Sequence, residues 1–518
     1  MKSIGFTNFR KFKEFPAIDF GDITIFVGSN NAGKSTVVKA ILTVLTFLKT
    51  ARFDVLGNKN AILNTNIYFN KNSYTHIGTF KRALYNKAED DVITFSVQLE
   101  EIHFDIALRG NRNDEHSIAA KVTQLHLVDN RSKIEFTFDF SSDKAVVHLY
   151  PNIDLFKNNE DFARRYSKLK EDEENTESQQ RLSRISYSRR VRDLYTHYPL
   201  VEEEFESSKR LTEICNDHMV GGPLVTGLLY NFTASYEEEI ESYHDIYDDP
   251  SNSNSFVKVL PYFSRLRHRI DQLLIFTPLV EYLYAHSASQ KVLYNSMDTS
   301  DFLVETIHNF ASQRFSEDSK PYKFVLYWMN YFKIGKDFII NSIGGEAHTV
   351  NIVDYDNTLM PLADKGMGTI QIMILLLRLA MDVYNKSQGR MQINAPTTII
   401  IEEPEQNLHP RYQSMLMDLF SSVSEEYKVR FIIETHSEYL IRRSQVLVAF
   451  HEYRSQDEVN AKCPYKVYYF PEDKPPYPMI YQANGHFLNH FGSGFFDEAS
   501  LSALRLSKLQ RGRYERQL

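Results

Sequence analysis

Tryptophan occurs once in 518 residues and cysteine only twice, at Cys215 and Cys463. So few thiols in so long a chain exclude a disulfide framework and fit a reducing cytoplasm. No uninterrupted apolar run approaches the roughly 18 residues that a bilayer demands, so no membrane partner is expected. The opening MKSIGFTNFRKF lacks the apolar core of a signal peptide, and the expected location is cytoplasmic. Sustained heptads are missing, which argues against a long coiled coil, and no internal repeat is evident. Positive charge is not in excess: the formal net charge is −8. That excludes whole-surface attraction to nucleic acid and leaves only local basic patches for it.

What is present is an ordinary globular composition, 42% hydrophobic and 24% charged, with 36 Phe and 31 Tyr for a large core. The length allows two or three domains. Residues 1–30 read as two strands flanking a turn, KSIGFTNFRKFKEFPAIDF followed by DITIFVG. A helix is expected at about 35–50. DVITFSVQL, HFDIALRG and KIEFTFDF then alternate like single strands and suggest an antiparallel sheet. From Asp154 to Asp318 the pattern turns helical, with dense charge of both signs over Arg164–Tyr195, expected as a solvated arm. FIINSI and TVNIVDY read as strands before the apolar helix of LADKGMGTIQIMILLLRLAMDVY. TTIIIEEPE and VRFIIETHS follow as buried strands, each succeeded by a helix, at Pro410 to about Glu426 and at Glu438 to about Val448. Strand, helix and strand in this order predict a parallel sheet covered by helices. The expected divisions are 1–153, 154–318, 319–450 and a C-terminal extension at 451–518.

The chemistry starts at FVGSNNAGKSTVVKAIL. Gly28, Gly33, Lys34 and Ser35 have the G-x-x-x-x-G-K-S spacing of a phosphate loop, with Asn30, Asn31 and Thr36 as further nucleotide-binding candidates. The glycines let backbone N–H groups turn inward, Lys34 brings positive charge to the β/γ oxygens, and Ser35 offers a hydroxyl to Mg²⁺. Hydrolysis needs more: an acid for the cation, a group to position water and a γ-phosphate sensor. IIIEE ends a buried strand on Glu402 and Glu403, at the carboxyl end where open α/β sheets bind ligands. Glu402 would hold Mg²⁺ directly or through water, and Glu403 would polarise the attacking water. His436, in the polar turn after the next strand, is the candidate sensor. Gly366 and Gly368 open a helix N-terminus, itself an anion site.

The ordered set GSNNAGKS, ADKGMGTIQ, IIIEEPEQNLHP and IIETHSEYLIRR resembles the overcoming-lysogenization-defect (OLD) ATPases, which are close to the structural-maintenance-of-chromosomes branch of ABC ATPases. FTNFRKFKEFPAIDFGDITIFVG, THIGTFKRALYN and the late FGSGFFDEA add to the likeness, which covers roughly residues 1–110 and 270–500. The resemblance implies an α/β P-loop ATPase head with a mixed sheet, flanking helices, an antiparallel β lobe and a helical insertion. It makes Gly28–Thr36 the Walker A loop, Ile399–Glu403 the Walker B strand, Glu403 the catalytic glutamate, Gln406–His409 a dimer-contact loop and His436 the switch histidine. Gly366–Gln371 becomes the signature turn, with Asp364, Gly366, Gly368, Thr369 and Gln371 reaching a partner's nucleotide. Two positions depart from the pattern. Glu402 replaces the commoner Asp, and Ile370 stands where Ser is frequent, so a hydroxyl contact is lost unless Thr369 supplies it; slow turnover is expected.

The implied function is an ATP- and Mg²⁺-dependent switch that closes as a homodimer, or multiples of one. The resemblance further implies control of a separately encoded nuclease or toxin in anti-phage defence, as in Septu-type systems with an HNH nuclease. A built-in nuclease is the alternative for OLD-like chains with a Toprim domain, but the residues after His436 contain no D-x-D. Their paired acids are Asp457-Glu458, Glu472-Asp473 and Asp497-Glu498, and HFLNHF at 486–491 has no acids around it. A DNA-repair or chromosome ATPase is the other alternative; Arg181–Arg192 and RLSKLQRGRYERQL are the basic patches that would meet nucleic acid.

Overall fold

A computed structural model of the chain describes residues 1–149 and 302–514, apart from 57–59, 64, 70–76, 132, 345–346, 388–396, 473 and 493–494. Between 149 and 302 it describes 168, 205–217, 222–237, 266–271, 280–283, 291 and 293–295. The chain divides into two compact units, Met1–Ile18 with Lys39–Pro278, and Asp19–Val38 with Leu279–Leu518.

The second unit is built on a six-stranded sheet in the order Val280–Leu283, Thr398–Glu402, Arg430–Thr435, Ile23–Gly28, Tyr465–Phe470 and Tyr477–Met479. The first five run parallel and the last is antiparallel. Parallel strands covered on both faces need continuous apolar side chains, and ITIFVG is buried at every residue. The covering helices are Met367–Ser387, Pro410–Tyr427 and Glu438–Phe450. Pro410 and Glu438 start their helices for local reasons. The His409 ring accepts from the Arg411 N–H ahead of a proline at the first turn, and Ser437 Oγ accepts from the Leu440 N–H.

Met367–Ser387 is long and apolar enough to cross a membrane by length and composition alone. Its residues Ile370, Met373, Leu376, Leu377, Leu379, Ala380 and Val383 are completely buried in the core of this unit. Its polar residues Gln371, Arg378 and Asp382 share one face, and most of the rest of the helix is apolar and packs into the core. A second sheet of four short strands, Tyr294–Asn295, Asp337–Ile343, Ala347–Val353 and Leu359–Pro361, feeds the turn before it.

The first unit is built on a nine-stranded sheet, running from Phe205–Arg210 through Lys144–Leu149, Ile134–Asp139, Ala119–Asp129, Ile102–Arg109 and Val92–Leu99 to Ser3–Phe9 and Phe12–Asp19. Asn66–Tyr68 pairs beside Ala119–Asp129. Its interior strands alternate strictly: VITFSVQL and IHFDIALR bury every second side chain. One face carries the phenylalanines of the core, with Phe6, Phe9 and Phe95 in contact.

The expected parallel sheet and the expected antiparallel strands are therefore present. Residues 1–30 form three strands, not two, and the phosphate loop lies in one compact unit with residues 279–518. Between 154 and 318 the described residues include the helices Leu211–Asp217, Leu224–Glu237 and Phe302–Ser312, together with two strands not expected there: Phe205–Arg210 lengthens the antiparallel sheet and Val280–Leu283 lies beside Thr398–Glu402. Tyr465–Phe470 is no extension: it pairs directly with Ile23–Gly28. The charged arm, the tip at Glu171–Ser178 and the Arg181–Arg192 cluster lie outside the described residues, Lys168 excepted.

Candidate active site

Gly28 ends its strand with φ +149°, and a Cβ there would meet the Phe470 carbonyl oxygen at 2.1 Å. Gly33 has φ +108° and Asn31 φ +59°, so the loop between strand and helix turns through conformations that favour glycine and asparagine. Asn30 and Asn31 are exposed, and the Lys34–Thr50 helix begins at the lysine. Lys34 is buried at 3% exposure, its Nζ donating to the carbonyls of Gly28 (3.0 Å) and Ser29 (2.9 Å). Burial lowers its pKa, while Glu434, Glu403 and Glu405 oppose that. Thr36 is buried and its N–H donates to the Gly33 carbonyl. The curl of backbone with a cation above it is suited to a polyphosphate.

The acids arrive on neighbouring strands. Parallel register sets Glu402 opposite Glu434. Glu403 follows with φ +46°, a left-handed conformation costly for a residue with a side chain, and its N–H donates to the Glu434 carbonyl at 2.7 Å. Gln406 donates from its side chain to Glu403 Oε2. The His436 ring lies 3.8 Å from Glu403 Oε1, near but beyond hydrogen-bond distance. Burial, then the charge of Lys34, hold that imidazole below its ordinary pKa. Glu405, buried and raised in pKa by that burial, accepts from the His436 N–H at 2.7 Å and so fixes the turn that presents the ring.

The turn at Leu362–Asp364 and the first residues of Met367–Ser387 place Asp364 and Gly366 in solvent and Thr369 half-buried. Ile370 is completely buried, so it belongs to the core and offers nothing to a ligand. Gly368 packs against the following loop: a Cβ there would stand 2.6 Å from the Asn407 carbonyl. Gln371 donates to the carbonyls of Glu403 (3.4 Å) and Pro404 (3.2 Å) of its own chain. This amide, expected to reach a partner's nucleotide, is engaged within its own chain and ties the helix to the acidic turn.

Sequence reasoning missed two residues here. Glu434 is 6% exposed and accepts from Ser35 Oγ at 2.9 Å; burial, then repulsion from Glu402, push its carboxyl up to about 7. Tyr282 hydrogen-bonds Glu402 from the adjacent edge strand, and burial drives its hydroxyl well above the ordinary value. ETHS carried a signal for Glu434, an acid inside an otherwise apolar strand; nothing marked Tyr282. Among the described residues no group of three His, Cys, Asp or Glu forms a metal cage. Ser35, Glu402 and Glu434 are nevertheless all-oxygen donors, and Glu434 Oε2 is buried without a hydrogen-bond partner. Mg²⁺ is commonly held by one or two carboxylates plus phosphates and water, so these residues fit it.

A family model described as an AAA ATPase domain matches residues 1–441. The chain belongs to this family. No curated protein matches this AAA ATPase. Among solved structures, it is similar to the Smc head domain of Pyrococcus furiosus with an extended coiled coil bound to the C-terminal domain of ScpA. Identity is 9%, coverage 90% of this chain and 92% of that one, and the TM-score 0.31. The SMC head domain from Thermotoga maritima gives 9% identity, 90% and 94% coverage, and a TM-score of 0.33. The Smc head with coiled coil and joint from Pyrococcus yayanosii gives 11%, 93% and 97%, and 0.30. Superpositions this loose carry no argument about the AAA ATPase itself, whose assignment rests on the family match.

Proposed function

We propose that this AAA ATPase binds ATP with Mg²⁺, hydrolyses it slowly, and works as an OLD-type switch that closes as a homodimer around two nucleotides. The observation that carries the reading is the convergence of Lys34, Ser35, Glu402, Glu403 and His436 at the carboxyl ends of adjacent parallel strands. Lys34 binds the β/γ oxygens, and the loop N–H groups orient them in line with the attacking water. Ser35 and Glu402 hold Mg²⁺, which when bound offsets the charge of the phosphates. Glu403 orients that water and takes its proton as the bond to the γ-phosphorus forms and the bond to the leaving ADP oxygen breaks. His436, kept neutral, donates to the γ-phosphate oxygens. The turn at Asp364–Thr369 reaches the partner's nucleotide through Gly366 and Thr369, with Gln371 in a supporting role.

The output is a separately encoded effector, a nuclease or toxin, in cytoplasmic anti-phage defence. The OLD resemblance supports that part of the reading. In Glu403→Gln, turnover is expected to fall about 10²–10⁴-fold while ATP stays bound, and an ATP-dependent dimer should accumulate in light scattering. Undiminished turnover moves the role to Glu405 or His436. Co-expression with the neighbouring gene should yield a stable complex, and the purified chain alone should leave DNA and RNA uncut in Mg²⁺ or Mn²⁺. Cleavage by the lone chain would replace the effector with a built-in nuclease.

A further inference from the structure

Glu434 has no part in the reaction as set out above, yet it touches the first hydroxyl of the phosphate-loop helix. Its strand, Arg430–Thr435, runs between Ile23–Gly28 and Thr398–Glu402, so its side chain is delivered between the phosphate loop and Glu402. One oxygen accepts from Ser35 at 2.9 Å; the other is buried without a hydrogen-bond partner. An acceptor that merely oriented Ser35 could be a neutral amide. A carboxyl placed there is largely out of water, beside a second carboxylate, with one oxygen left without a partner, and its charged form is costly unless a cation completes it. Lys34 offsets part of that charge, but its ammonium is held by the Gly28 and Ser29 carbonyls.

We propose that Glu434 is a second carboxylate of the divalent-cation site, so that Ser35, Glu402 and Glu434 together take the Mg²⁺ that accompanies the nucleotide. The inference rests on the ATP-site reading. Two carboxylates match the cation's two charges, and the negative charge the pair keeps with the cation removed opposes a triphosphate. Glu434 thereby makes nucleotide binding conditional on metal.

The test uses the full chain and Glu434→Gln, which keeps the shape and an acceptor for Ser35. A fluorescent ATP analogue is titrated in EDTA and across a Mg²⁺ series, and Mn²⁺ uptake with ADP is followed by electron paramagnetic resonance. In Glu434→Gln the cation concentration for half-maximal tight binding should rise about ten-fold or more, while binding in EDTA should strengthen. Opposite shifts of this kind are not expected of a residue that only orients Ser35. Metal dependence identical to wild type overturns the proposal. Glu434→Asp carries the test independently: a carboxylate drawn back by one methylene weakens Mn²⁺ uptake if it is a ligand, and unchanged uptake overturns the role. Failure of the wild type to bind the analogue even with Mg²⁺ would instead overturn the ATP-site reading, and this proposal with it.

Discussion

The two largest sheets among the described residues solve different problems with the same backbone. In the six-stranded sheet five neighbours run parallel, so their carboxyl ends lie on one side, and Gly28, Glu402 and Thr435 end three adjacent strands there. The antiparallel strands of the nine-stranded sheet send successive ends to opposite sides, which scatters end residues instead of gathering them. Its polar chemistry lies across a face: Ser96, His103, Asp105, His126 and Glu135 are linked by hydrogen bonds of 2.7–3.3 Å over four strands. Parallel packing concentrates reactive groups at an edge, and alternation distributes them over a surface.

Breaking each sheet at its characteristic place should separate the two roles. The largest effect is expected from Lys34→Ala, which removes the cation over the phosphate loop. Nucleotide binding should become undetectable by calorimetry with the far-ultraviolet circular dichroism unchanged; wild-type affinity would end the phosphate-loop reading. Phe95→Ala strikes the other sheet, where the ring is fully buried and lies 5.1 Å from that of Phe9. A loss of about 3–5 kcal/mol of stability is expected in denaturant titrations, with nucleotide affinity of the folded protein retained.

The smallest effect belongs to the polar face. A hydrogen bond to Asp105 raises the pKa of His126, with Glu135 contributing and burial opposing. A raised folded-state value means that this contribution is full below the unfolded value of 6.5 and is lost as pH rises through the folded one. Burial alone would raise Asp105, but bonds from His103 and His126 hold it well below its ordinary 3.8, so its contribution is lost instead as pH falls. Stability of wild type relative to His126→Gln should therefore be greatest between those limits and shrink on both sides. Thermal melts that show a pH-independent difference would remove the ion pairing from the account.

The phosphate loop was legible because its signal is local: a positive-φ glycine, a lysine and a hydroxyl follow one another within eight residues of chain. TTIIIEE and VRFIIETHS were legible because strands buried on both faces must be continuously apolar. FESSKR was missed because two serines and three charged residues in six positions leave no apolar alternation to read, and YKVYYF because its place beside Ile23–Gly28 depends on a partner more than 400 residues away. By itself the sequence determined the loop, the acid-tipped strands and their order. Tertiary structure alone decided that Glu434 meets Ser35 across a separation of 399 residues, that Tyr282 reaches Glu402, and that Gln371 is held by the Glu403 turn. Local backbone chemistry is written in neighbouring residues, whereas strand order and register, which bring distant side chains together, are set by how the whole core packs.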